Sequence, residues 1–145
     1  MVKRLFLICV ASLIAVVTYI TPLTFAPKGC EIEVYLQGKR DEGEYTGYMT
    51  VISTDISGAK KLYKDSGYMG ITIRYAVDNM SEDALCSKMQ ARRIYEQEID
   101  GIRCVYLYTP LINESVRIDG NVINMQIAIT DSAVTVGFPL IMGSY

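Results

Sequence analysis

The chain has 145 residues, which suits a targeting segment and one small domain but hardly two domains. It carries 14 basic and 16 acidic residues, a net charge of −2, and no histidine. The acidic balance excludes a protein that grips a nucleic-acid backbone, because such binding depends on Lys and Arg. The lack of histidine excludes a Ser-His-Asp triad, a Cys-His pair and His-ligated zinc.

An uncharged apolar segment follows Lys3 and Arg4 and runs from Leu5 to Ala26. Basic residues before an apolar run are typical of a secretory signal. The run also has the roughly 20 residues that a helix needs to span a bilayer. Residues 1–26 are therefore predicted to be a signal peptide or an N-terminal membrane anchor. Both alternatives put the remainder outside the cytoplasm, because the positive charges stay inside.

Cleavage after Ala26 would release a secreted protein, since Thr24-x-Ala26 resembles a peptidase site. Pro27 directly after the bond disfavours cleavage, and we expect a hydrophobic helix that stays as a single-pass anchor. Lipidation of Cys30 is a third alternative, and Lys28 disfavours it. Residues 30–145 are predicted to form one extracytoplasmic domain.

Three cysteines lie beyond the apolar segment, and none is in a CxxC pair. An odd number without that spacing predicts neither a disulfide framework nor a zinc site. We expect Cys86 and Cys104 to be small buried hydrophobic residues. No metal and no cofactor is predicted.

Alternation of apolar and polar residues predicts six strands. They cover residues 31–37, 45–54, 69–77, 102–112, 121–130 and 133–142. The segment 55–66, with three lysines, is predicted to be a loop. Pro139 cannot donate to a strand ladder, so the last strand is predicted at a sheet edge.

One main helix is predicted at about 81–99. Ser81 is suited to cap it, and Glu82 and Asp83 suit the positive end of the helix dipole. Asp100-Gly101 is predicted to end it. The pattern indicates an α+β fold, in which an antiparallel, curved sheet of about six strands has this helix on one face and the N-terminal hydrophobic helix precedes it.

Two segments near the carboxyl terminus carry a family signature. Asn124-Met125-Gln126-Ile127-Ala128-Ile129 is followed by Thr135-Val136-Gly137-Phe138-Pro139-Leu140-Ile141 and a final Tyr145. They resemble the N-L-Q-I-A-L, T-x-G-T-P-I-I and closing E-Y of the YwmB-like family, and Val105–Leu111 resembles the strand after that family's helix. The resemblance implies a fold like that of the TATA-box-binding protein, in an exported or membrane-anchored firmicute protein. Phe138 in place of the family's Thr, and a short N-terminal region, imply a shortened or divergent member.

The expected function is a non-enzymatic interaction module of the cell envelope, with sporulation or wall synthesis as the process that the resemblance suggests. Its expected partners are the membrane, through residues 5–26, and an envelope protein or a second copy that pairs with sheet edges. Nucleic acid is not an expected partner. The predicted interaction surface combines polar and tyrosine side chains, which suit interfaces, at Asn124, Gln126, Thr130, Tyr106 and Tyr108.

The alternative is an enzyme that hydrolyses a small ligand or a wall fragment with paired carboxylates. Candidate pairs come from Glu31 and Glu33, or from Asp78, Glu82 and Asp83. A solvated strand face and a first helical turn explain these carboxylates more simply, and no histidine is present to work near neutral pH.

Overall fold

A computed structural model describes residues 23–37, 49–66 and 69–143 of the protein. The predicted N-terminal hydrophobic helix lies outside the described residues as far as position 22. The beginning of the second predicted strand, at 45–48, also lies outside them. None of the helices in the described ranges is long and apolar enough to cross a membrane.

An antiparallel sheet of seven strands forms most of the domain, in the order β2-β1-β3-β9-β8-β5-β4. A separate hairpin pairs β6 with β7. The predicted antiparallel α+β architecture is confirmed, with one strand more in the main sheet than expected. The strands are β1 Glu31–Gln37, β2 Met49–Thr54, β3 Gly70–Ala76, β4 Arg92–Ile99, β5 Ile102–Tyr108, β6 Val116–Ile118, β7 Asn121–Ile123, β8 Met125–Ile129 and β9 Ala133–Phe138.

One face of the sheet carries the main hydrophobic core. A single row of paired residues crosses five strands and consists of Ile32, Ile73, Val136, Ile127 and Val105. All five are fully buried branched side chains, which pack well on a pleated surface. The period-two alternation seen in the sequence therefore assigns the core face correctly.

Two helices of the described chain contribute to this core, α1 (Ile56–Ser66) and α2 (Glu82–Met89). The prediction of a loop at 55–66 is wrong. Asp55 accepts a hydrogen bond from the amide of Gly58 at 2.7 Å and caps α1. Ala59 is buried in the core, while Lys60 and Lys61 are exposed. The lysines made the segment look polar, although it has a narrow apolar stripe. This stripe is sufficient to stabilise the helix because the sheet covers it.

The predicted helix at 81–99 is correct only at its start. Ser81 caps α2 and accepts from the amide of Ala84 at 3.2 Å. The helix ends at Met89, because Gln90 adopts the left-handed conformation that terminates helices.

Residues 92–99 form the edge strand β4 instead of continuing the helix. Asp100 and Gly101 both have positive φ and make the tight turn of the β4–β5 hairpin, for which Asp-Gly is a favoured pair. Pairing with the buried strand β5 outweighed the local helical pattern.

The predicted edge position of the last strand is also wrong. Strand β9 lies between β3 and β8. It ends at Phe138, so Pro139 follows the strand and removes no ladder hydrogen bond.

The second face of the sheet is covered at one end only. At the β8-β5-β4 end, the β6–β7 hairpin and the side chains of Leu140 and Ile141 pack on a small cluster around Cys104 and Tyr106. At the β2-β1-β3 end, the same face carries mainly polar side chains. We call this end the open face and define it by Glu31, Glu33, Tyr35, Ser53, Thr72, Arg74 and Thr135.

Candidate functional site

A cleft of about 560 Å³ lies on the open face. Strands β1, β2, β3 and β9 form its floor, and Cys30 and Asp55 line its rim. Its volume falls in the range of small-ligand sites, which is roughly 300–1,000 Å³. Alternation along β1 and β3 places the polar side chains here, because their apolar neighbours face the core.

Opposite charges adjoin each other across the cleft without closing on one another. Glu31 and Arg74 are register partners on β1 and β3. Both are exposed. Within the described ranges neither takes part in a side-chain ion pair within 4.0 Å. Their charged groups are therefore presented to solvent.

Glu33 is fixed by a neighbour on its own strand. The hydroxyl of buried Tyr35 donates to a carboxylate oxygen of Glu33 at 2.7 Å. Burial, followed by this hydrogen bond and the negative charge of Glu33, raises the pKa of Tyr35 to about 12, while the Thr72 hydroxyl acts in the opposite direction. Tyr35 therefore stays a hydrogen-bond donor at neutral pH and orients the carboxylate.

Thr72 lies on β3, where it is the register partner of Glu33 and is two residues before Arg74. Its side chain lines the cleft and is 5% exposed. Its hydroxyl is close enough to that of Tyr35 to lower the pKa of Tyr35, but it makes no bond of full hydrogen-bond geometry among the described residues. A buried hydroxyl with so weak a partner is uncommon, because it loses its bonds to water and gains little in exchange.

The chain after β9 turns back over the second face. The amide of Ile141 donates to the side-chain oxygen of Gln126 at 3.0 Å. A Cβ on Gly137 would lie 2.2 Å from the backbone nitrogen of Ile141, so only glycine allows this crossing. The segment then reaches the Tyr35 hydroxyl, which would lie 2.5 Å from a Cβ on Gly143.

Two exposed apolar side chains border the cleft along one register row. Val51 pairs with Tyr35, and Tyr35 pairs with Gly70, over which the sulfur of Met142 lies. Val51 is 47% exposed and Met142 is 36% exposed. The open face thus combines apolar area with charge, as interaction surfaces do.

Asn124, first in the predicted interaction surface, is completely buried and is not part of any surface. Its carboxamide accepts from the amide of Thr109 at 2.8 Å and donates to the carbonyls of Thr109 and Ile112. The hydroxyl of Thr109 in turn donates to the carbonyl of Met89, at the end of α2. Asn124 therefore holds a loop and a helix end to the start of β8.

The other predicted surface residues also have structural partners. Gln126 is buried under the returning chain, and Thr130 closes the β8–β9 turn through hydrogen bonds with the backbone of Ala133. Tyr106 is buried, stacks on Tyr95 with ring centroids 4.4 Å apart, and accepts from Gln97.

Tyr108 is half-buried and lies under the guanidinium of Arg92, 5.4 Å from its ring centroid. The five predicted residues do not come together as a surface. Period-two alternation placed several of them on the correct side of the strands but did not show what covers that side.

Comparison with known proteins gave no relative. No protein-family model matches the chain. Searches of curated proteins and of solved structures found no match either.

The second set of candidate carboxylates does not form a site. Glu82 is largely buried and is bonded by Arg93 and Arg103, the latter at 2.5 Å. The hydrogen bond that Arg103 donates to Glu82 raises the pKa of Arg103, and the one that it donates to Glu96 raises it further. Asp78 and Asp83 are exposed. Over the described ranges, no three His, Cys, Asp or Glu side chains gather in a way that would hold a metal ion.

The thiols in the described ranges are free. Cys104 is buried, as predicted, whereas Cys86, which was also predicted to be buried, is only half-buried. Burial raises the pKa of Cys86, with a further rise from the charge of Glu82, and burial also raises the pKa of Cys30 at the cleft rim. The raised pKa makes Cys30 and Cys86 poor nucleophiles at neutral pH.

The outer edge of β4 is poorly suited to pairing with another chain. Arg92, Arg93, Glu96 and Glu98 are exposed along it, and the register shifts between Arg93 and Tyr95. Charges and a bulge are the features by which edge strands avoid association.

Sequence reasoning named Glu31 and Glu33 as possible site residues but missed Ser53, Thr72, Arg74 and Thr135. The available signal was the polar side of the alternation in β1 and β3, which share a face. Only the strand order brings these positions to one cleft.

Proposed function

We propose that this chain is a membrane-attached, extracytoplasmic interaction module of the YwmB-like kind, with a curved sheet as in the TATA-box-binding protein, and that it acts without catalysis. The observation that carries membrane attachment is the position of Leu23 and Phe25. They are 2% and 5% exposed and belong to the main core. The ring of Phe25 packs on that of Phe138, with centroids 5.7 Å apart.

The burial of Leu23 and Phe25 supports an uncleaved anchor. Cleavage after Ala26 would remove both side chains from the domain. Loss of a buried Leu or Phe side chain costs about 2–5 kcal/mol each. A small domain has a total stability of about 5–15 kcal/mol, so the cleaved form would retain little of it.

The burial also moves the expected domain boundary from position 30 to position 23 or earlier. The apolar residues before it, 5–22, number 18, within the roughly 17–25 that span a bilayer. The anchor then continues into the domain without a spacer, and the domain lies close to the membrane surface.

The open face supports interaction as the activity. Glu31 and Arg74 make no ion pair within the described ranges, the face borders exposed apolar side chains, and it holds a cleft of ligand size. The partner that we propose is an envelope protein that presents a cationic group beside an anionic one, because the cleft lining combines three carboxylates with one guanidinium.

Mass spectrometry of the protein from membranes tests the anchor. We expect the mature protein to begin at Met1 or Val2. A protein that begins at Pro27 and remains folded would contradict the proposal.

Photo-crosslinking tests the interaction. A photoreactive residue at Ser53 should give one adduct in intact membranes, and the same residue at Glu98, on the protected β4 edge, should not. The reversal Glu31→Lys should abolish the adduct, whereas Arg117→Glu, on β6, should leave it. Equal adducts from both positions, or adducts indifferent to Glu31→Lys, would contradict binding at the open face.

A second candidate function is a hydrolase for a small ligand or a wall fragment. The observation that favours it is that Glu31 and Glu33 line one cleft. Turnover of a purified wall fragment, lost in Glu31→Gln or Glu33→Gln and kept in Glu98→Gln, would replace the interaction proposal.

A further inference from the structure

We propose that the cleft binds a zwitterionic group of the amino-acid or short-peptide class, in which Glu31 and Glu33 hold the ammonium and Arg74 holds the carboxylate. This inference rests on the proposed function, since it names the chemistry that the open face recognises. It does not depend on how the chain is attached to the membrane.

The charges of the cleft are bipolar rather than of one sign. Arg74 supplies a guanidinium, which only donates hydrogen bonds. Its register partner Glu31 does not neutralise it, since no ion pair closes between them. A ligand with both charges satisfies both groups at once, whereas a simple cation leaves Arg74 without a partner.

The carboxylates differ in their availability. Asp55 is engaged by the amide of Gly58 as the cap of α1. Glu33 accepts from Tyr35 through one of its oxygens and has its other oxygen for a ligand. Glu31 is exposed at the rim. Two carboxylates are thus positioned for an ammonium, which donates three hydrogen bonds.

Hydroxyl groups surround the cationic side of the cleft. Thr72 is on the same strand and face as Arg74, and Thr135 is the register partner of Arg74 on β9. Both residues line the cleft, so their hydroxyl groups lie on the side where Arg74 would hold a carboxylate.

Two other ligand classes fit less well. A divalent cation needs several oxygen ligands, and within the described ranges no group of three acidic, Cys or His side chains is present. A phosphate-rich ligand would meet the excess of carboxylates.

Three probes that share the glycylglycine backbone and differ in their terminal charges test the inference. They are glycylglycine, N-acetylglycylglycine, which lacks the ammonium, and glycylglycine amide, which lacks the carboxylate. Each is titrated into the isotope-labelled full chain in lipid nanodiscs, and the amide NMR signals of Ser53, Thr72, Arg74 and Thr135 are followed. We expect glycylglycine to bind at least about tenfold more tightly than either blocked probe, because each lost charge removes a charge-assisted hydrogen bond.

Variants assign each charge to its group. Arg74→Gln should remove the preference for glycylglycine over its amide and keep the preference over the acetylated probe. Glu31→Gln and Glu33→Gln should do the reverse. Arg117→Gln and Glu98→Gln are matched controls on other strands and should change neither preference.

Thr72→Val separates a ligand role from a structural one. It should weaken glycylglycine binding and lower the melting temperature only slightly, because the hydroxyl makes no bond of full hydrogen-bond geometry among the described residues. A lower melting temperature with unchanged binding would overturn the role of Thr72.

Equal binding of all three probes, or no shift of the cleft signals with any of them, would overturn the zwitterion inference. Those results leave the anchor and the Ser53 crosslink as they stand, so a failure of the ligand class is distinguishable from a failure of the proposed function.

Discussion

Asn124 and Thr109 are hydrogen-bonded twice, in the manner of two paired backbone units. The amide of Thr109 donates to the Oδ1 atom of Asn124 at 2.8 Å, and the Nδ2 atom of Asn124 donates to the carbonyl of Thr109 at 2.7 Å. The same nitrogen donates to the carbonyl of Ile112 at 2.9 Å. This side chain satisfies three backbone groups of a loop that has no ladder partner.

We expect Asn124→Ala to destabilise the domain by about 3 kcal/mol, because it leaves several buried backbone groups unsatisfied. Urea unfolding of the full chain measures the free energy of unfolding. Asn121→Ala, at an exposed position on β7, is the matched control and should change it by less than about 0.5 kcal/mol. Similar effects of the two substitutions would show that the Asn124 bonds contribute little.

Gly137→Ala should displace the chain that returns over the second face. The added methyl group would overlap the backbone of Leu140 and Ile141, which cannot move as a flexible side chain does. We expect a loss of about 1–3 kcal/mol, as for overpacking. The comparison variant Gly70→Ala meets mainly the flexible end of Met142 and should cost less. Hydrogen exchange at the Ile141 amide should rise in Gly137→Ala, and unchanged exchange would contradict the crossing.

Phe25→Ala tests whether the residues before Ala26 belong to the domain. Removing a buried phenyl group should cost about 3–5 kcal/mol. Val51→Ala, at an exposed apolar position, should cost less than about 0.5 kcal/mol. Thermal unfolding of the full chain in nanodiscs gives both values. If Phe25→Ala leaves stability unchanged, the domain does not need this segment and would tolerate cleavage after Ala26.

Alkaline pH should destabilise the fold through two buried tyrosines. The pKa of Tyr35 is raised to about 12 by burial and by Glu33. The pKa of Tyr75 is raised to about 12 by burial and by Cys86. Since the folded state holds these protons more tightly, the stabilisation is complete below pH 10 and is lost as the pH rises towards 12.

The free energy of unfolding should fall across this window by up to about 1.4 kcal/mol per pH unit for each tyrosine. Tyr75→Phe removes a buried hydroxyl without a partner among the described residues and should flatten the curve without lowering stability at pH 7. Ser87→Ala, an exposed control on α2, should keep the wild-type slope. An unchanged slope in Tyr75→Phe would show that Tyr75 is not coupled to folding.

Sequence patterns predicted much of the sheet because side chains alternate locally along a strand. The positions of β1, β3 and β5 and the cap at Ser81 follow from residues near each other in sequence. The region after Met89 did not follow. Its spacing fits a helix about as well as a strand, and pairing with β5 decided between them.

The candidate site shows the same division. The acidic side of β1 could be predicted from the sequence, but the cleft that this side lines could not. Asn124 and Gln126 had the composition of a polar surface, yet the loop after Thr109 and the chain after Phe138 cover them.

The sequence by itself determined the acidic balance, the lack of histidine, the apolar segment before the domain and the alternation that defines the core face. Only the tertiary structure shows that Leu23 and Phe25 belong to the core, because their burial depends on strands from the far end of the chain. It also decided that Glu31, Thr72 and Arg74 share a cleft. Alternation along a strand determines to which face of the sheet a side chain points, but the order of the strands determines which residues it contacts.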